Sequence, residues 1–539
     1  MKISSIDFNK LPFTKLFQDY TSGKDDILNF YETNPFDEKS VNERIDNFSF
    51  SGSRKSTAKV LKTYNQQFDA PASVLKSVEK LADKNSLAVV TGQQLTLFGG
   101  PVFTIYKTIT AINYARQIEN KFGIPVVPVF WMADEDHDFD EVSEIHIPGN
   151  KETGSYTLQA EGQMGNPSGF IRFDDKINNL WSEIKSELLE TDFSRELWAI
   201  IEEYYKPGSD FGTAFGKLML RLFSEHGLIL AGSNFKPVKK LLYKPIQSAV
   251  KNASEHFDTL TKTSNKLEAA GYHSQVYLNE SNLFWLDDDN NRIKIQYQND
   301  FWSAGDEQQS WATDKLIQDI ENTPERFSPN VFLRPIMQDH LLPTLSYIAG
   351  PGEVAYYAQM KDFYHQFNKK MPIIKPRTSV TIIESGIDRI LKKLPFEVED
   401  YSKRIEDLES EYVAAADTPD IEKIFSDWKH KTEKVLEERK VYIGEIDPTL
   451  TNSAEKAQAV FSSELDKLKG KVYRSVKEQE NVQINRIKKI QNNLFPNGTL
   501  QEREVAFIYF MNKYGMDIWD KLLEELESEH TRDHKIICL

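Results

Sequence analysis

Cysteine is nearly absent from this chain of 539 residues, which contains only Cys538. An internal disulfide is therefore excluded, and no spacing of cysteine and histidine resembles a zinc site. No uninterrupted apolar run approaches the roughly 20 residues that a membrane-spanning helix requires, and the first residues lack the charged-then-apolar pattern of a signal peptide. We therefore expect a cytoplasmic protein with no membrane partner, and we predict no metal site.

Basic residues are also in the minority, with 66 Lys and Arg against 82 Asp and Glu and a net charge of -16. This balance disfavours a nucleic-acid partner, because neutralising backbone phosphates requires a basic surface. Hydrophobic residues make up 40% of the chain and aromatic residues 12%, which is enough for a sizeable core and excludes a wholly disordered protein. The length predicts about two to four domains.

A βαβ unit is predicted in the first quarter of the chain. Residues 87–91 and 126–131 are short apolar runs without alternation, which is typical of strands buried on both faces of a parallel sheet. Between them, a glycine-containing loop at 92–100 leads into a segment with apolar residues at helical spacing. This order predicts an α/β fold with a parallel sheet and right-handed crossovers.

The composition predicts three further divisions of the chain. We expect a core at 1–384 with a β-rich insert at about 270–300, because the β-rich segments 272–285 and 292–298 flank a turn. Residues 385–500 are poor in glycine and proline and rich in Glu, Lys and Leu, which predicts an α-helical antiparallel coiled-coil arm. Residues 501–539 are expected to be helices that pack back on the core.

The first candidate site is the loop after the first predicted strand. It lies where the carboxyl end of a strand meets the amino end of a helix, which is the usual ligand position in an open α/β sheet and favours an anion. Glycines allow close approach to the backbone, and glutamine amides both donate and accept hydrogen bonds. The loop matches neither dinucleotide-binding nor Walker signatures. The candidate ligand contacts are Thr91, Gln93, Gln94, Gly99 and Gly100, although the glycines could serve the turn geometry alone.

The second candidate site is the acidic stretch 134–141, directly after the second predicted strand. Clustered carboxylates can bind an amine or raise one another's pKa for acid–base catalysis, and a histidine can carry a proton near neutral pH. The alternatives are a solvated acidic loop and a structural histidine. The candidate catalytic residues are His137, Asp134, Asp136 and Asp138.

The third candidate site combines 334–340 with 350–357 and an arginine within a strand-like run. Arg334 has the geometry to hold a carboxylate or phosphate through two hydrogen bonds. Arg377 needs a partner in a buried sheet, and a substrate anion or an internal carboxylate would serve equally. Alternatively, the tyrosines belong to the core and Arg334 pairs with a structural carboxylate. The candidate substrate-binding residues here are Arg334, Gln338, Asp339, Glu353, Tyr356, Tyr357 and Arg377.

These motifs make the chain resemble a known family. The stretches VTGQQLTLFGGPVFTIYK (90–107), PVFWMADEDHDFDE (128–141) and FSPNVFLRPIMQD (327–339) are similar to the signatures of the bacillithiol biosynthesis cysteine-adding enzymes, the BshC family. The stretches 350–359 and 372–384 also fit, and the resemblance covers essentially the whole chain. It implies a Rossmann-like core with connecting inserts and a coiled-coil domain that helps to form a homodimer.

The resemblance also implies an activity, the joining of the cysteine carboxyl to the glucosamine amine of glucosaminyl-malate. Because amide formation from a free carboxylate is uphill, we expect activation by ATP, through an acyl phosphate or an adenylate. The alternatives are a nucleotidyltransferase-like enzyme acting on another amine and a non-catalytic coiled-coil scaffold. The ligase hypothesis predicts that Gln94, Asp136 and Arg334 line one cavity at the carboxyl edge of a single sheet.

Overall fold

The computed structural model describes residues 1–149, 152–159, 165–298, 301–305, 309–415, 420–526 and 531–539. Contacts divide the chain into two compact units. The first, here called the α/β unit, comprises Met1–Gly149, Thr153–Ile382 and Gln501–Ile537. The second, here called the arm, consists mainly of Ile383–Leu500. None of the helices in the described ranges combines the length and apolarity needed to cross a bilayer.

The strands of the described residues form four sheets. In chain order they are β1 (Lys2–Asp7), β2 (Leu87–Gln93), β3 (Val126–Met132), β4 (Glu144–Pro148), β5 (Thr153–Thr157), β6 (Ile229–Gly232), β7 (Leu283–Leu286), β8 (Arg292–Gln298), β9 (Phe301–Ala304), β10 (Gln309–Ala312), β11 (Phe327–Pro329), β12 (Thr344–Ala349), β13 (Ile373–Pro376), β14 (Ser379–Ile383) and β15 (Asp533–Cys538).

The helices fall into three groups along the chain. The α/β unit first contributes α1 (Lys15–Ser22), α2 (Asp25–Leu28), α3 (Glu38–Asp46), α4 (Arg54–Gln66), α5 (Ala72–Lys80), α6 (Phe103–Phe122), α7 (Phe139–Val142), α8 (Lys176–Glu187), α9 (Ser194–Tyr204), α10 (Phe211–Phe223), α11 (Lys236–Lys251), α12 (Ala253–Ala269), α13 (Thr313–Asn322), α14 (Leu333–Leu341), α15 (Pro351–Tyr357) and α16 (Lys361–Gln366). The arm contributes α17 (Ser385–Leu391), α18 (Ile405–Ala415), α19 (Ile421–Ile446), α20 (Thr451–Gln479) and α21 (Asn481–Leu494). The α/β unit then adds α22 (Gln501–Glu504), α23 (Phe507–Tyr514) and α24 (Ile518–Glu525).

The central sheet has five parallel strands in the order β13-β12-β2-β3-β6, which confirms the predicted α/β class. The βαβ unit is β2-α6-β3, with α6 beginning at Phe103 shortly after the glycine-containing loop. Alternate residues of β2 enter different apolar clusters: Ala88 and Val90 join one, and Leu87 and Val89 join another. Burial on both sides explains why the apolar run does not alternate.

The strand order reverses at β2. From β2 the chain proceeds to β3, which leads on to β6 on one side, whereas β12 and β13 lie on the other side. Loops leaving the carboxyl ends of β2 and β12 therefore diverge and leave a crevice between them, which is where open α/β sheets bind ligands.

The β-rich insert is larger than the sequence indicated. It is an antiparallel sheet in the order β10-β9-β8-β7-β11. The β-rich segment at 272–285 forms a strand only at its end, because residues 283–286 pair and residues 272–282 have no strand structure. Residues 299 and 300, within the predicted insert, lie outside the described residues.

The arm contains an antiparallel helical pair, as the sequence predicted. Ion pairs between α19 and α20 join Glu422 to Lys469 at 2.7 Å and Lys440 to Glu455 at 2.8 Å, so positions rise along one helix as they fall along the other. At the end nearest α18, Phe425 and Leu465 pack in a small buried cluster with Val413 and Ile421. The fold is thus a Rossmann-like α/β unit plus a coiled-coil arm.

Candidate functional site

A cavity of ≈ 750 Å³ lies at the carboxyl edge of the central sheet. We call it the carboxyl-edge cavity. Every strand of the sheet contributes a residue at or just beyond its carboxyl end: Gln93 and Gln94 from β2, Asp136 and His137 from β3, Ser233 from β6, Gly350 from β12 and Arg377 from β13. Glu353 from α15 lines the cavity as well. Arg334 from α14 and Arg292 from the insert also line it. The three distant stretches around Gln94, Asp136 and Arg334 do share one cavity.

Arg334 presents a partly accessible guanidinium to this cavity. Its Nη2 donates to the Tyr356 hydroxyl at 2.7 Å and its Nη1 donates to the Gln338 carbonyl oxygen at 3.4 Å. The guanidinium also lies 5.7 Å from the centre of the Tyr347 ring. A guanidinium has five N–H donors, so several of them remain for an oxyanion.

Lys107 is a cavity residue that the sequence analysis missed. Its ammonium is buried and donates to the Gly92 backbone carbonyl at 2.8 Å and to the side-chain carbonyl oxygen of Gln93 at 3.1 Å. It also forms an ion pair with Glu353 at 2.6 Å. These three acceptors use all three of its donors. Burial lowers the pKa of Lys107, and the charge of Glu353 acts in the opposite direction. Lys107 therefore fixes the ends of β2 and α15 around the crevice.

One sequence signal could have identified Lys107. It is the only charged residue between Phe103 and Ile112, within a helix that is otherwise apolar or hydroxyl-bearing over that stretch. A lysine in such a helix needs a buried acceptor or an exit to solvent. The acceptors of Lys107 come from β2 and from α15.

Asp136 is the centre of a polar cluster. Its carboxylate accepts hydrogen bonds from the Gln94 amide at 2.7 Å and from the His137 backbone N–H at 2.8 Å, and Arg292 lies 3.7 Å away. Although burial acts to raise the pKa of Asp136, the charge of Arg292 and the hydrogen bonds from the Gln94 amide and the His137 backbone N–H hold it well below the ordinary value. Asp136 is therefore an ionised acceptor at neutral pH.

Arg292 sets the hydrogen-bonding role of His137. The Arg292 guanidinium lies 3.0 Å from His137 Nδ1, and because a guanidinium only donates, Nδ1 must accept. The neutral ring then carries its proton on Nε2 and can only donate there. In this arrangement Arg292 engages Nδ1 of His137, and the role of His137 as a proton carrier stays a prediction.

Arg292 is the second residue that the sequence analysis missed. It begins β8, and its guanidinium stacks on the Phe284 ring of β7 at 3.8 Å and donates to the Pro329 carbonyl of β11 at 2.6 Å. The insert thus carries a cation into the carboxyl-edge cavity. A single arginine after an acidic turn carries no signal of this in the sequence.

Arg377 has an internal partner. Its two Nη atoms donate to the two carboxylate oxygens of Glu502 on α22, both at 2.7 Å, while Nε has no partner among the described residues. Glu502 also accepts from the Ser379 hydroxyl and the Val380 N–H. Burial acts to raise the pKa of Glu502, but Arg377 and these donors hold it below the ordinary value. The sequence left open whether Arg377 pairs with a substrate anion or with an internal carboxylate, and the structure shows the internal carboxylate of Glu502.

Three residues of the predicted anion loop do not line the cavity. The Thr91 hydroxyl donates to the Ile348 carbonyl inside the sheet. Gly99 and Gly100 have positive φ values of 86° and 77°, and a Cβ at Gly99 would lie 1.9 Å from the Phe507 ring. The amino end of α6 is also covered, because the Val102 N–H donates to the Val505 carbonyl. Gly99 and Gly100 therefore serve the geometry of the turn and do not line the cavity.

Two of the four predicted catalytic residues also lie outside the cavity lining. Asp134 is buried and accepts from the Tyr64 hydroxyl at 3.2 Å and the Asn234 N–H at 3.1 Å. Burial and the charge of Glu135 raise the pKa of Asp134 to about 7. Asp138 is exposed and caps the short helix α7, where its side chain accepts from the Glu141 N–H.

Gln338, Asp339 and Tyr357 lie behind the cavity wall. The Gln338 amide donates to the Asp339 carboxylate at 3.1 Å, and the Tyr357 ring is fully buried and stacks on Tyr356. These residues pack behind Arg334 and Tyr356 rather than facing a ligand in the cavity. Within the described ranges, no group of three or more His, Cys, Asp or Glu side chains is arranged to hold a metal ion.

Comparison with known proteins accounts for both units. Residues 1–378 match the family model "Bacillithiol biosynthesis BshC, N-terminal Rossmann-like domain", and residues 380–539 match "Bacillithiol biosynthesis BshC, C-terminal coiled-coil domain". The two models therefore cover nearly the whole chain.

Three proteins similar to this chain are each named "Putative cysteine ligase BshC". The one from Salinibacter ruber is 34% identical over 532 residues, which is 97% of this chain and 96% of that protein. The one from Koribacter versatilis is 34% identical over 95% of both chains, and the one from Chlorobaculum tepidum is 31% identical over 98% of both. Two family models together cover nearly the whole chain, and the relatives match it over almost their full length. This chain therefore belongs to the BshC family of bacillithiol biosynthesis.

Proposed function

We propose that the protein is an ATP-dependent ligase that joins the carboxyl group of cysteine to the glucosamine amine of glucosaminyl-malate. The observation that carries this proposal is that one cavity presents both an ionised carboxylate, Asp136, and an accessible guanidinium, Arg334. The sugar substrate carries both an amine and two carboxylates, so it needs both kinds of partner. The names of the relatives in this family support the ligase class.

In this mechanism the amine is oriented by the Asp136 cluster. Asp136 accepts a hydrogen bond from the amine, and Gln94 holds the Asp136 carboxylate at 2.7 Å. The amine nitrogen attacks the carbonyl carbon of activated cysteine, the bond from that carbon to the leaving phosphate or adenylate oxygen breaks, and the proton that the nitrogen loses passes to the departing phosphate oxygen. His137 donates through Nε2 to a substrate oxygen rather than removing this proton.

The malyl carboxylates are bound by the cations. Arg334 offers donors that Tyr356 and Gln338 do not use, and a carboxylate can accept two of them side by side. The exposed Arg503 on α22 also lines the cavity and adds positive charge beside Arg377. Lys107 does not bind substrate directly in this scheme, since its three donors are already used.

Activation of the cysteine carboxyl requires an energy donor, and ATP is our proposal. The turn at Gly99–Gly100 does not fit the triphosphate, because Phe507 fills the space beside it. Arg334 and Arg503 are the cavity residues whose charge fits phosphate oxygens.

Mass spectrometry of reactions with the purified full chain tests this proposal. Cysteine, glucosaminyl-malate and ATP together should give the amide product with stoichiometric loss of ATP, and omission of any one should give none. Arg334→Met should lower kcat/KM about 10- to 100-fold, the cost of one charge-assisted contact. Arg404→Met is the matched control, because that arginine is exposed on the arm.

Two results would overturn the proposal. Transfer of a nucleotidyl group to the amine would identify a nucleotidyltransferase. Absence of any product from a folded protein with all three substrates, together with unchanged thiol levels in cells lacking the protein, would favour a non-catalytic scaffold.

We also propose that the arm joins two copies of the chain. Its helices α19 and α20 leave large apolar side chains exposed to solvent, with Trp428 45%, Ile446 84% and Val460 62% exposed. Exposed apolar side chains that recur along a helical pair are typical of an interface.

A further inference from the structure

A second cavity lies at the opposite edge of the central sheet. It measures ≈ 470 Å³, and we call it the amino-edge cavity. Its lining includes Thr344, the first residue of β12, and Lys369 and Lys370, which precede β13. The carboxyl-edge cavity lies at the other end of these same strands, so the two cavities are separate sites.

Arg44 on α3 is a buried cation of the amino-edge cavity that forms no ion pair with a described carboxylate. Its side chain is 9% exposed. Its hydrogen bonding is limited to one long contact, from Nη2 to the Lys370 carbonyl at 3.4 Å, and its Nε has no partner among the described residues. Its guanidinium lies 5.2 Å from the centre of the Phe48 ring, and no described carboxylate forms an ion pair with it. Burying a charge without a partner is costly, so this arrangement points to a missing anion.

The carboxylates nearest to Arg44 are engaged elsewhere. The Asp339 carboxylate accepts from the Tyr364 hydroxyl at 2.9 Å and from the Gln338 amide at 3.1 Å, and Glu32 contacts His365 at 2.9 Å. Burial lowers the pKa of Arg44, and the charges of Glu32, Asp339 and Tyr364 offset only part of that effect. The protein itself therefore leaves the guanidinium incompletely neutralised.

The other cavity residues add positive charge. Lys369 donates to the Asp339 backbone carbonyl at 3.0 Å, and Lys370 is exposed at the rim. Of the described residues that line the cavity, Asp339 is the only acidic one, against Arg44, Lys369 and Lys370. This balance of charge favours a small anion over a cation.

We propose that the amino-edge cavity binds a small oxyanion, either a phosphate or a carboxylate group, through Arg44 and Lys369. The planar guanidinium offers paired donors to two oxygens, and the lysine supplies a second charge. This site does not depend on the proposed ligase activity, because its residues lie at the other edge of the sheet from the substrate cavity.

Isothermal titration of the full chain with inorganic phosphate, and separately with succinate, tests the proposal and distinguishes the two sources of oxyanion. The Arg334→Met chain, whose other cavity is weakened, should bind the preferred anion at one site. Adding Arg44→Met should weaken that binding about tenfold or more, since one buried charge-assisted contact is lost. Lys369→Met should weaken it less, and the exposed control Arg404→Met should leave it unchanged.

Two outcomes would overturn the proposal. One is that neither anion binds at millimolar concentration. The other is that binding survives Arg44→Met and is lost with Arg334→Met alone, which would place the anion in the carboxyl-edge cavity. Circular dichroism checks that each variant is folded. If Arg44→Met does not fold, the double variant Lys369→Met/Lys370→Met carries the same test, and unchanged affinity in that variant would refute the site.

Discussion

The α/β unit and the arm use polar and apolar side chains in opposite ways. In the α/β unit, charged side chains are buried in pairs, such as Arg377 with Glu502 at 2.7 Å and Lys107 with Glu353 at 2.6 Å. In the arm, large apolar side chains such as Trp428 and Ile446 are exposed, while the ion pairs lie at the surface.

This difference indicates where each unit meets its partners. Buried ion pairs are costly to desolvate and are maintained by precise geometry, so they are suited to holding groups around a cavity. Exposed apolar side chains gain free energy only when another surface covers them. We therefore assign small-molecule recognition to the α/β unit and association between copies to the arm, and four predictions test this assignment.

The largest effect is expected from Glu502→Ala. This change leaves Arg377 buried without its counter-charge and removes the acceptor of the Val380 N–H. We expect the free energy of unfolding of the α/β unit to fall by about 3–5 kcal/mol, the usual cost of breaking a buried pair from one side. Urea denaturation monitored by tryptophan fluorescence measures it.

A double variant separates the effect of leaving Arg377 unpaired from the effect of removing the Glu502 side chain. Glu502→Ala/Arg377→Met removes both charges, so it should recover part of the stability that Glu502→Ala loses. If the single variant loses no more than about 1 kcal/mol, the pair does not organise this edge of the sheet.

A smaller effect is expected from Asp134→Asn, and it should depend on pH. The pKa of Asp134 in the folded protein is about 7, above its unfolded value, so the protonated form is favoured by folding. The stability contributed by this carboxyl is full at low pH and is lost as pH rises through about 7. Asparagine stays neutral, so its advantage over wild type should grow by about 2–3 kcal/mol between about pH 5 and about pH 8.

Urea denaturation across this pH range measures the difference between the two proteins. Parallel stability curves for wild type and Asp134→Asn would contradict the raised pKa. They would also imply that the buried carboxyl is neutralised by another route.

Features of the fold that depend on local pattern could be predicted from the sequence. The apolar runs of β2 and β3 and the Glu/Lys/Leu-rich composition of the arm each report on a single element. The prediction that Gln94 and Asp136 line one cavity is also confirmed. Each follows a strand, and the carboxyl ends of parallel strands share one edge of the sheet.

Features that depend on distant pairing could not be predicted in this way. Arg377 meets Glu502 125 residues later, and Arg292 meets His137 155 residues earlier, with no shared local pattern. The role of Gly99 and Gly100 could not be decided from the sequence, because a phosphate-binding turn and a turn packed against Phe507 need the same residue type. The sequence thus located the cavity but not the partners that determine what each side chain can do.

Dimer formation should be more sensitive than stability to changes on the arm's exposed apolar face. Trp428→Gln/Val435→Gln removes apolar side chains that are 45% and 51% exposed. If they are covered in a dimer, the dissociation constant should rise about tenfold or more, whereas urea denaturation should change little. Light scattering over a dilution series measures the mass, and an unchanged dimer mass at every concentration would exclude this face from the interface.

The smallest effect is expected from Lys440→Gln, which breaks the ion pair with Glu455 between the two arm helices. Both charges remain accessible to water and salt, so we expect no measurable change in the unfolding midpoint of the arm. The matched control is Phe425→Ala, because Phe425 is only 8% exposed within the arm's buried cluster and its loss should lower that midpoint. If Lys440→Gln lowered the midpoint as much as Phe425→Ala, surface ion pairs rather than apolar packing would hold the helical pair together, and the contrast between the two units would fail.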